Sequence, residues 1–228
     1  VDLIFPFFLF SMGAAIPLSL GRQLEKGTGK LKLLKKTIIR WMKLTFFAIF
    51  VIHVYPYMLG YPAPWMNELV ALVAFALMFL LFMRNPFHLG KWENRTVNTL
   101  AYAAAIALIL FQPYAEGKPF MLKDEDIIML ILANVSLTGA VIYLLTPHKP
   151  LARLALIPLL MAFFMSAKAD GSWQQAVRDF TFAPWLYHIA YQEYLLIIIP
   201  GMLAGDLMTH WLKAEATSQV HGRLKVAP

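Results

Sequence analysis

The stretch Lys30-Leu-Lys-Leu-Leu-Lys-Lys-Thr-Ile-Ile-Arg-Trp-Met-Lys-Leu-Thr-Phe-Phe-Ala-Ile-Phe-Val-Ile-His-Val-Tyr-Pro-Tyr-Met-Leu59 sets cations at one end of an apolar run and none at the other. The same asymmetry recurs along the chain. Apolar runs lie at Leu3–Leu20, Trp41–Leu59, Met66–Met83, Val97–Tyr114, Ile127–Leu145, Leu151–Ala167 and Trp185–Gly205. Each approaches the roughly 17–25 residues that cross a bilayer core of about 30 Å. Sixteen of the twenty Lys and Arg residues fall in alternate gaps between these runs or, for Lys43 and Arg153, within three residues of one, and the other gaps hold only Lys118, Lys123, Lys168 and Arg178. Cytoplasmic loops of membrane proteins retain positive charge, whereas a soluble protein has no reason to sort it this way. The fold expected is therefore all-α, a polytopic transmembrane helix bundle of about seven spans. Its C-terminus faces the cytoplasm, and the inner membrane of a bacterium is the expected location.

Composition agrees. Hydrophobic residues make up 60% of the 228 and charged residues 14%, against about 45–50% and 25% in soluble domains, and the mean hydropathy is +0.62. The formal net charge of +7 flanks the spans instead of forming one face. Membrane lipid headgroups are thus the expected counter-charge, and no nucleic-acid partner is expected. The absence of cysteine excludes a disulfide framework, a cysteine metal site and a thiol nucleophile. Residues 1–212 read as one membrane domain and 213–228 as a cytoplasmic tail. The chain begins at Val1-Asp2 and enters an apolar run at once, so an internal fragment is expected, with at least one further span upstream.

Several local features bear on function. Pro6, Gly13 and Pro17 interrupt the first run; such breakers persist at membrane depth where neighbouring helices or Ser hydroxyls satisfy the freed carbonyls. They read either as close packing through Gly13-Ala14-Ala15 or as a kink that shapes a cavity. The basic stretch before Trp41 suits a helix lying on or entering the inner headgroup layer, with a mouth for a polyphosphorylated cofactor as a further option. His53 stands inside the second run near its outer end, and an ionisable residue there is a functional candidate, with a satisfied structural histidine as the alternative. Lys123-Asp-Glu-Asp126 sets acids at the start of the fifth run, where they favour the helix dipole; as a metal-ligand set this single turn is weak. Ala169–Pro184 has room for a small surface helix. Beyond it His188, Tyr191, Gln192 and Tyr194 fall within about a turn of each other and form either a polar aromatic face or an interfacial belt. Pro200-Gly201 suggests a kink in the last span, and Gly205-Asp206 a tightly packed inner end.

Two stretches together carry a resemblance. Asp2-Leu-Ile-Phe-Pro-Phe-Phe-Leu-Phe-Ser-Met-Gly13 resembles the D-L-[VI]-F-P-x-F-x-F-x-x-G run of the heparan-alpha-glucosaminide N-acetyltransferase family and its bacterial relatives, the domain-of-unknown-function 5009 group. Tyr194-Leu-Leu-Ile-Ile-Ile-Pro-Gly-Met-Leu-Ala-Gly-Asp206 is similar to the Y-L-x-I-x-I-P-G-x-x-x-G-D span of the bacterial members. The resemblance implies a multi-span acyltransferase that moves an acetyl group from acetyl-CoA to a sugar amine or hydroxyl, with a glycan or amino-sugar acceptor beyond the membrane. The family's essential histidine lies in an H-x-x-W-N-G-like stretch upstream of the first motif, and its G-V-L-Q-R segment is replaced here by Pro62-Ala-Pro-Trp-Met-Asn-Glu68. Under this reading the family's base is expected upstream of Val1, Asp2 is a catalytic candidate that orients that histidine or the acceptor, and His53 is the candidate within this chain that would substitute for the base. His188, Tyr191 and Tyr194 are candidates for the acceptor, and Lys35, Lys36 and Arg40 for the phosphates of CoA; no metal is called for. A transporter or channel component with His53 and the Glu193 region lining a path is the alternative, and a homo-oligomer is left open.

Overall fold

The computed structural model describes residues 3–83, 90–117, 119–122, 124, 126–181 and 183–224, with the backbone alone at 91 and 214–224. Asp2, the loop 84–89, Lys118, Lys123, Glu125 and Lys225 lie outside the described residues. The described chain is all-α, without a strand beyond two isolated bridges. Its helices are α1 (Ile4–Ile16), α2 (Arg22–Glu25), α3 (Lys30–His53), α4 (Pro64–Phe82), α5 (Lys91–Phe111), α6 (Ile127–Leu145), α7 (Pro150–Ser166), α8 (Trp173–Asp179) and α9 (Leu195–Leu224).

Five stretches are long and apolar enough to cross a membrane: Ile4–Glu25, Pro64–Phe82, Trp92–Phe111, Ile127–Leu145 and Ala190–Lys213. They mark a membrane-embedded protein. The other two expected spans are present as helices, α3 with 24 residues and a basic first half, and α7 with 17. The basic stretch enters the span without a break, since Lys30 through His53 form one helix.

Two boundaries differ from the sequence reading. The last span does not begin at Trp185. An Ala183–Tyr187 bridge and a tight turn precede a 3-10 segment, Ala190–Tyr194, and the α-helix starts only at Leu195. Nor does Gly205-Asp206 end that helix, which runs on to Leu224 with Pro200 inside it. The surface helix expected in Ala169–Pro184 is α8, capped by the Ser172 hydroxyl, which accepts from the Gln175 amide at 3.1 Å. Asp126 fulfils the capping expectation at α6, its carboxylate accepting from the Met129 amide at 2.9 Å.

The chain divides into two compact units, residues 1–44 with 130–228, and residues 45–129. In the first, α1 and α9 meet backbone to backbone. A methyl group built on Gly13 would overlap the Ile198 carbonyl, one on Gly201 the Phe10 carbonyl, and one on Gly205 the Ala14 carbonyl. Gly201 and Gly205 are four apart, the spacing that lets membrane helices approach closely. Pro17 cannot donate a hydrogen bond, and there α1 widens into a π-helical turn, Pro17–Gly21, that leads into α2. In α6 every residue from Leu130 to Val135 is buried, so this segment is enclosed on all sides. Two ion pairs tie the unit: Lys213 with Glu25, both partly exposed, and Arg153 with Asp206 at 2.6 Å, the arginine side chain 1% exposed.

In the second unit Phe50, Val54, Ala74, Leu81, Ala101, Ala105 and Ile109 form the buried core. Small residues on α5 accept the larger ones of α3 and α4, which is how dense packing is reached. Rows of apolar side chains left exposed on α4 and α5, among them Leu72, Phe75, Phe79, Leu100 and Leu110, are what lipid-facing helices present.

Candidate functional site

His53 is the last residue of α3 and is 1% exposed. A helix leaves its final carbonyls without intrahelical donors, and two side chains from the end of α5 meet that need. Gln112 Nε2 donates to the His53 carbonyl at 2.6 Å and to the Tyr114 hydroxyl at 3.2 Å, while the Tyr114 hydroxyl donates to the Ile109 carbonyl at 2.5 Å. The chain between α3 and α4 is held to the same place by the Leu59–Tyr114 bridge and by the Gly60 amide, which donates to the Pro113 carbonyl at 2.9 Å. Gly60 is required there because a side chain would overlap the Tyr114 carbonyl.

The imidazole is fixed in orientation. Nδ1 lies 2.7 Å from the Ile49 carbonyl, which can only accept, so Nδ1 carries the proton. In the neutral ring Nε2 is then a bare lone pair, and it has no hydrogen-bond partner among the described residues. Phe120 packs with its centroid 4.7 Å from the ring and Tyr114 at 5.6 Å. His53 lines a cavity of about 210 Å³ together with Tyr57, Met58, Tyr114, Glu116, Pro119 and Asp124. Burial pushes the Tyr114 phenol above its ordinary value; the Gln112 hydrogen bond partly opposes this and the Asp124 charge adds to it. Among the described lining residues the site therefore presents an aligned imidazole and two carboxylates, Glu116 and Asp124.

The other sequence candidates fall elsewhere, in the unit made by residues 1–44 and 130–228. Lys35, Lys36 and Arg40 are exposed on α3, with Lys36 donating to Gln23 at 2.9 Å. Arg40 lines a small cavity of about 80 Å³ with Ser19, Thr37 and Ser136. His188 and Tyr191 do meet, their rings 4.6 Å apart. Tyr194 does not join them: it packs edge-on against Phe5 at 5.5 Å. The 3-10 segment, absent from the sequence expectation, sets this arrangement, and the buried Gln192 anchors it by donating to the His188 carbonyl at 3.3 Å. Asp2 lies outside the described residues.

Sequence reasoning missed Gln112, Tyr114, Glu116 and Asp124 around His53. Asp124 belongs to the acidic run that reads as a helix cap or a weak metal-ligand set, and in that run Asp126 is a cap; Glu116 carries no sequence expectation. The one visible signal of the four was position, Gln112 and Tyr114 at the end of the fourth apolar run and Glu116 and Asp124 in the gap that follows it. Among the described residues no cluster of three His, Asp or Glu side chains could hold a metal ion.

Comparison with known families bears on the whole bundle at once. The profile of the family described as domain of unknown function (DUF5009) matches residues 1–208. The chain belongs to that family. The match covers both compact units, so the His53 cavity and the α1–α9 contact are both parts of the DUF5009 domain. No curated protein and no solved structure matches this DUF5009 chain.

Proposed function

We propose that this DUF5009 protein is an integral membrane acyltransferase that moves an acetyl group from acetyl-CoA to a sugar amine or hydroxyl across the membrane, with His53 as general base. The observation that carries the reading is a buried imidazole that lines a cavity, with Nδ1 committed to the Ile49 carbonyl and Nε2 without a partner among the described residues. The sequence resemblance described above supplies the reaction class.

In this mechanism the acceptor nitrogen or oxygen attacks the thioester carbonyl carbon and its proton passes to His53 Nε2. The carbon–sulfur bond breaks as the tetrahedral species collapses, and the imidazolium returns the proton to the departing thiolate. A base in this position is worth about 10²–10⁴ in rate. Glu116 and Asp124 supply negative charge that suits an ammonium-bearing acceptor better than the phosphates of CoA. The cavity of about 210 Å³ is below the roughly 300–1,000 Å³ typical of whole-ligand sites, so it suits the acceptor amine and the acetyl group, not the entire donor. Lys35, Lys36 and Arg40 remain the candidates for the donor's phosphates, with Arg40 already at a cavity edge. Sidedness follows the charge pattern: basic gaps and the C-terminus in the cytoplasm, here of a bacterial inner membrane.

The test is release of free thiol from acetyl-CoA by the purified protein with glucosamine as acceptor. His53→Gln should lower the rate at least about 100-fold while leaving the thermal midpoint near that of the wild type. Turnover unaffected by this change would remove His53 from the chemistry. Uptake of the amino sugar into proteoliposomes with no thiol released would support the transporter reading instead.

A further inference from the structure

Arg153 lies in the first turn of α7 and is completely buried. A guanidinium carries five N–H donors in a planar fork. Asp206 meets only part of this need, through one oxygen on Nη2 at 2.6 Å, and the Tyr143 ring covers a face with its centroid 4.9 Å from Cζ. Nε and Nη1 have no hydrogen-bond partner among the described residues. A buried donor left unmet costs about 1–3 kcal/mol, more where the group is charged, so a structural ion pair alone is a poor account of the arrangement.

The surroundings point to an anion. Arg153 and Asp206 line a cavity of about 390 Å³ with His148, Pro150, Leu203, Leu207 and His210. Pro150 opens α7, whose N-terminus has no side-chain cap. The amides of Leu151 and Ala152 fall in that first turn, where a helix lacks internal acceptors and carries the positive end of its dipole. His148 is held with φ at 59°, a left-handed conformation uncommon outside glycine. Asp206 cancels the charge of Arg153, which leaves the helix end to set the sign of the cavity, with the two imidazoles as further hydrogen-bonding groups. Lys213 stands one turn beyond His210 but is paired with Glu25.

We propose that this cavity binds a phosphate group, gripped by the free edge of Arg153 and the N-terminal amides of α7. A tetrahedral oxyanion matches both the fork of an arginine and an uncapped helix start, and the 390 Å³ leaves room for what the phosphate is attached to. The phosphate comes either from a free phosphorylated ligand or from a phospholipid headgroup, and the site stands apart from acyl transfer at His53.

The experiment uses the whole chain in phosphatidylcholine nanodiscs. Inorganic phosphate, titrated against chloride at constant ionic strength, should raise the thermal midpoint saturably, as a ligand specific for the native state does. In parallel, phospholipid retained after delipidation in detergent is counted by mass spectrometry. In R153M/D206L, which removes both charges together and leaves neither buried alone, phosphate affinity should fall about tenfold or more and retained anionic lipid should disappear. A phosphate shift without retained lipid assigns a free ligand; retained anionic lipid with no phosphate shift assigns a headgroup. Wild-type protein showing neither overturns the proposal, whether or not the double variant folds, as does a double variant that folds and behaves like wild type in both arms. Neither arm reads thiol release, so failure here leaves the acyltransferase reading standing, and the reverse.

Discussion

Replacing Gly201 by alanine tests the central contact of the bundle. The added methyl would overlap the Phe10 carbonyl oxygen and lie 3.1 Å from its carbon and 3.2 Å from the Ala14 nitrogen. Carbon contacts settle at about 3.5–4.0 Å, so α1 must withdraw by about 1 Å at this level. A gap of that size forfeits up to half of each pairwise attraction of about 0.1–0.2 kcal/mol. Over a few tens of atom pairs the loss is about 2 kcal/mol, within the range of about 1–3 kcal/mol for overpacked sites. Alanine also recovers about 0.5–1 kcal/mol of helix propensity, which leaves a net destabilisation of about 1 kcal/mol. For a chain of this size that is about 2–4 °C in thermal midpoint, read by tryptophan fluorescence of the detergent-solubilised protein. Gly201→Val, with a larger overlap, should fall further. Met208→Ala on the exposed side of the same helix should stay within about 0.5 kcal/mol of wild type. A Gly201→Ala protein as stable as wild type, or more stable, would refute backbone contact between α1 and α9, because only the propensity gain would then remain.

Three further outcomes are expected. Arg153→Met alone should destabilise by about 3 kcal/mol, the low end for a broken buried pair because the Asp206 side chain is 18% exposed, while R153M/D206L should recover much of that loss; equal loss in both would place the cost in packing, not charge. The raised Tyr114 phenol contributes stability that is fully present below the ordinary tyrosine value near 10 and is lost as pH rises through the higher native value, so Tyr114→Phe should flatten the alkaline decline, measured as thermal midpoint from pH 9 to 11.5. In this cysteine-free chain, cysteines at Gly29 and Lys149 should react in intact cells only with membrane-permeant maleimides and those at Pro62 and Asp170 also with impermeant ones; labelling of all four from one side would overturn the topology.

The helices were legible because each is a length of apolar sequence, and lipid imposes length and apolarity directly on the chain. Their ends were less so. Trp185 is apolar enough to join a span, but Pro184 and the Ala183–Tyr187 bridge keep its neighbourhood out of the helix, and a preference for a local bridge leaves little mark on hydropathy. Lys30 is polar enough to seem outside a span, yet lysine stems are helix formers, so α3 starts well before its apolar half. His53 stood out in sequence because an ionisable residue in an apolar run costs free energy. Its partners did not, because they sit in connecting segments where polar residues are ordinary. Arg153 was misjudged for a related reason. It was counted among the loop cations, although it lies three residues inside a run whose interior holds no other charge, and Asp206 lies at the end of the last run. Two opposite charges at the edges of two apolar runs were the available sign of a buried pair.

What separates scaffold from site in this chain is whether a buried polar atom is met. Gln112 Nε2, the Tyr114 hydroxyl and the Asp126 carboxylate each close a helix end, and their roles are used up in doing so. His53 Nε2 and Arg153 Nε and Nη1 are buried and unmet; so are Thr45 Oγ1, Asn134 Nδ2 and Gln192 Oε1, but these line none of the three cavities. An unmet atom without a cavity is a cost with no route to a ligand. An unmet atom on a cavity is a cost that a ligand can reverse. The His53 cavity pairs its bare lone pair with two carboxylates and so favours a group that brings a proton or positive charge. The Arg153 cavity sets unmet N–H donors, a helix N-terminus and two imidazoles beside the single carboxylate of Asp206, and is proposed above to take an anion. Under the two proposals above the domain handles a cationic and an anionic group separately, which a scaffold held together by apolar packing alone would not require.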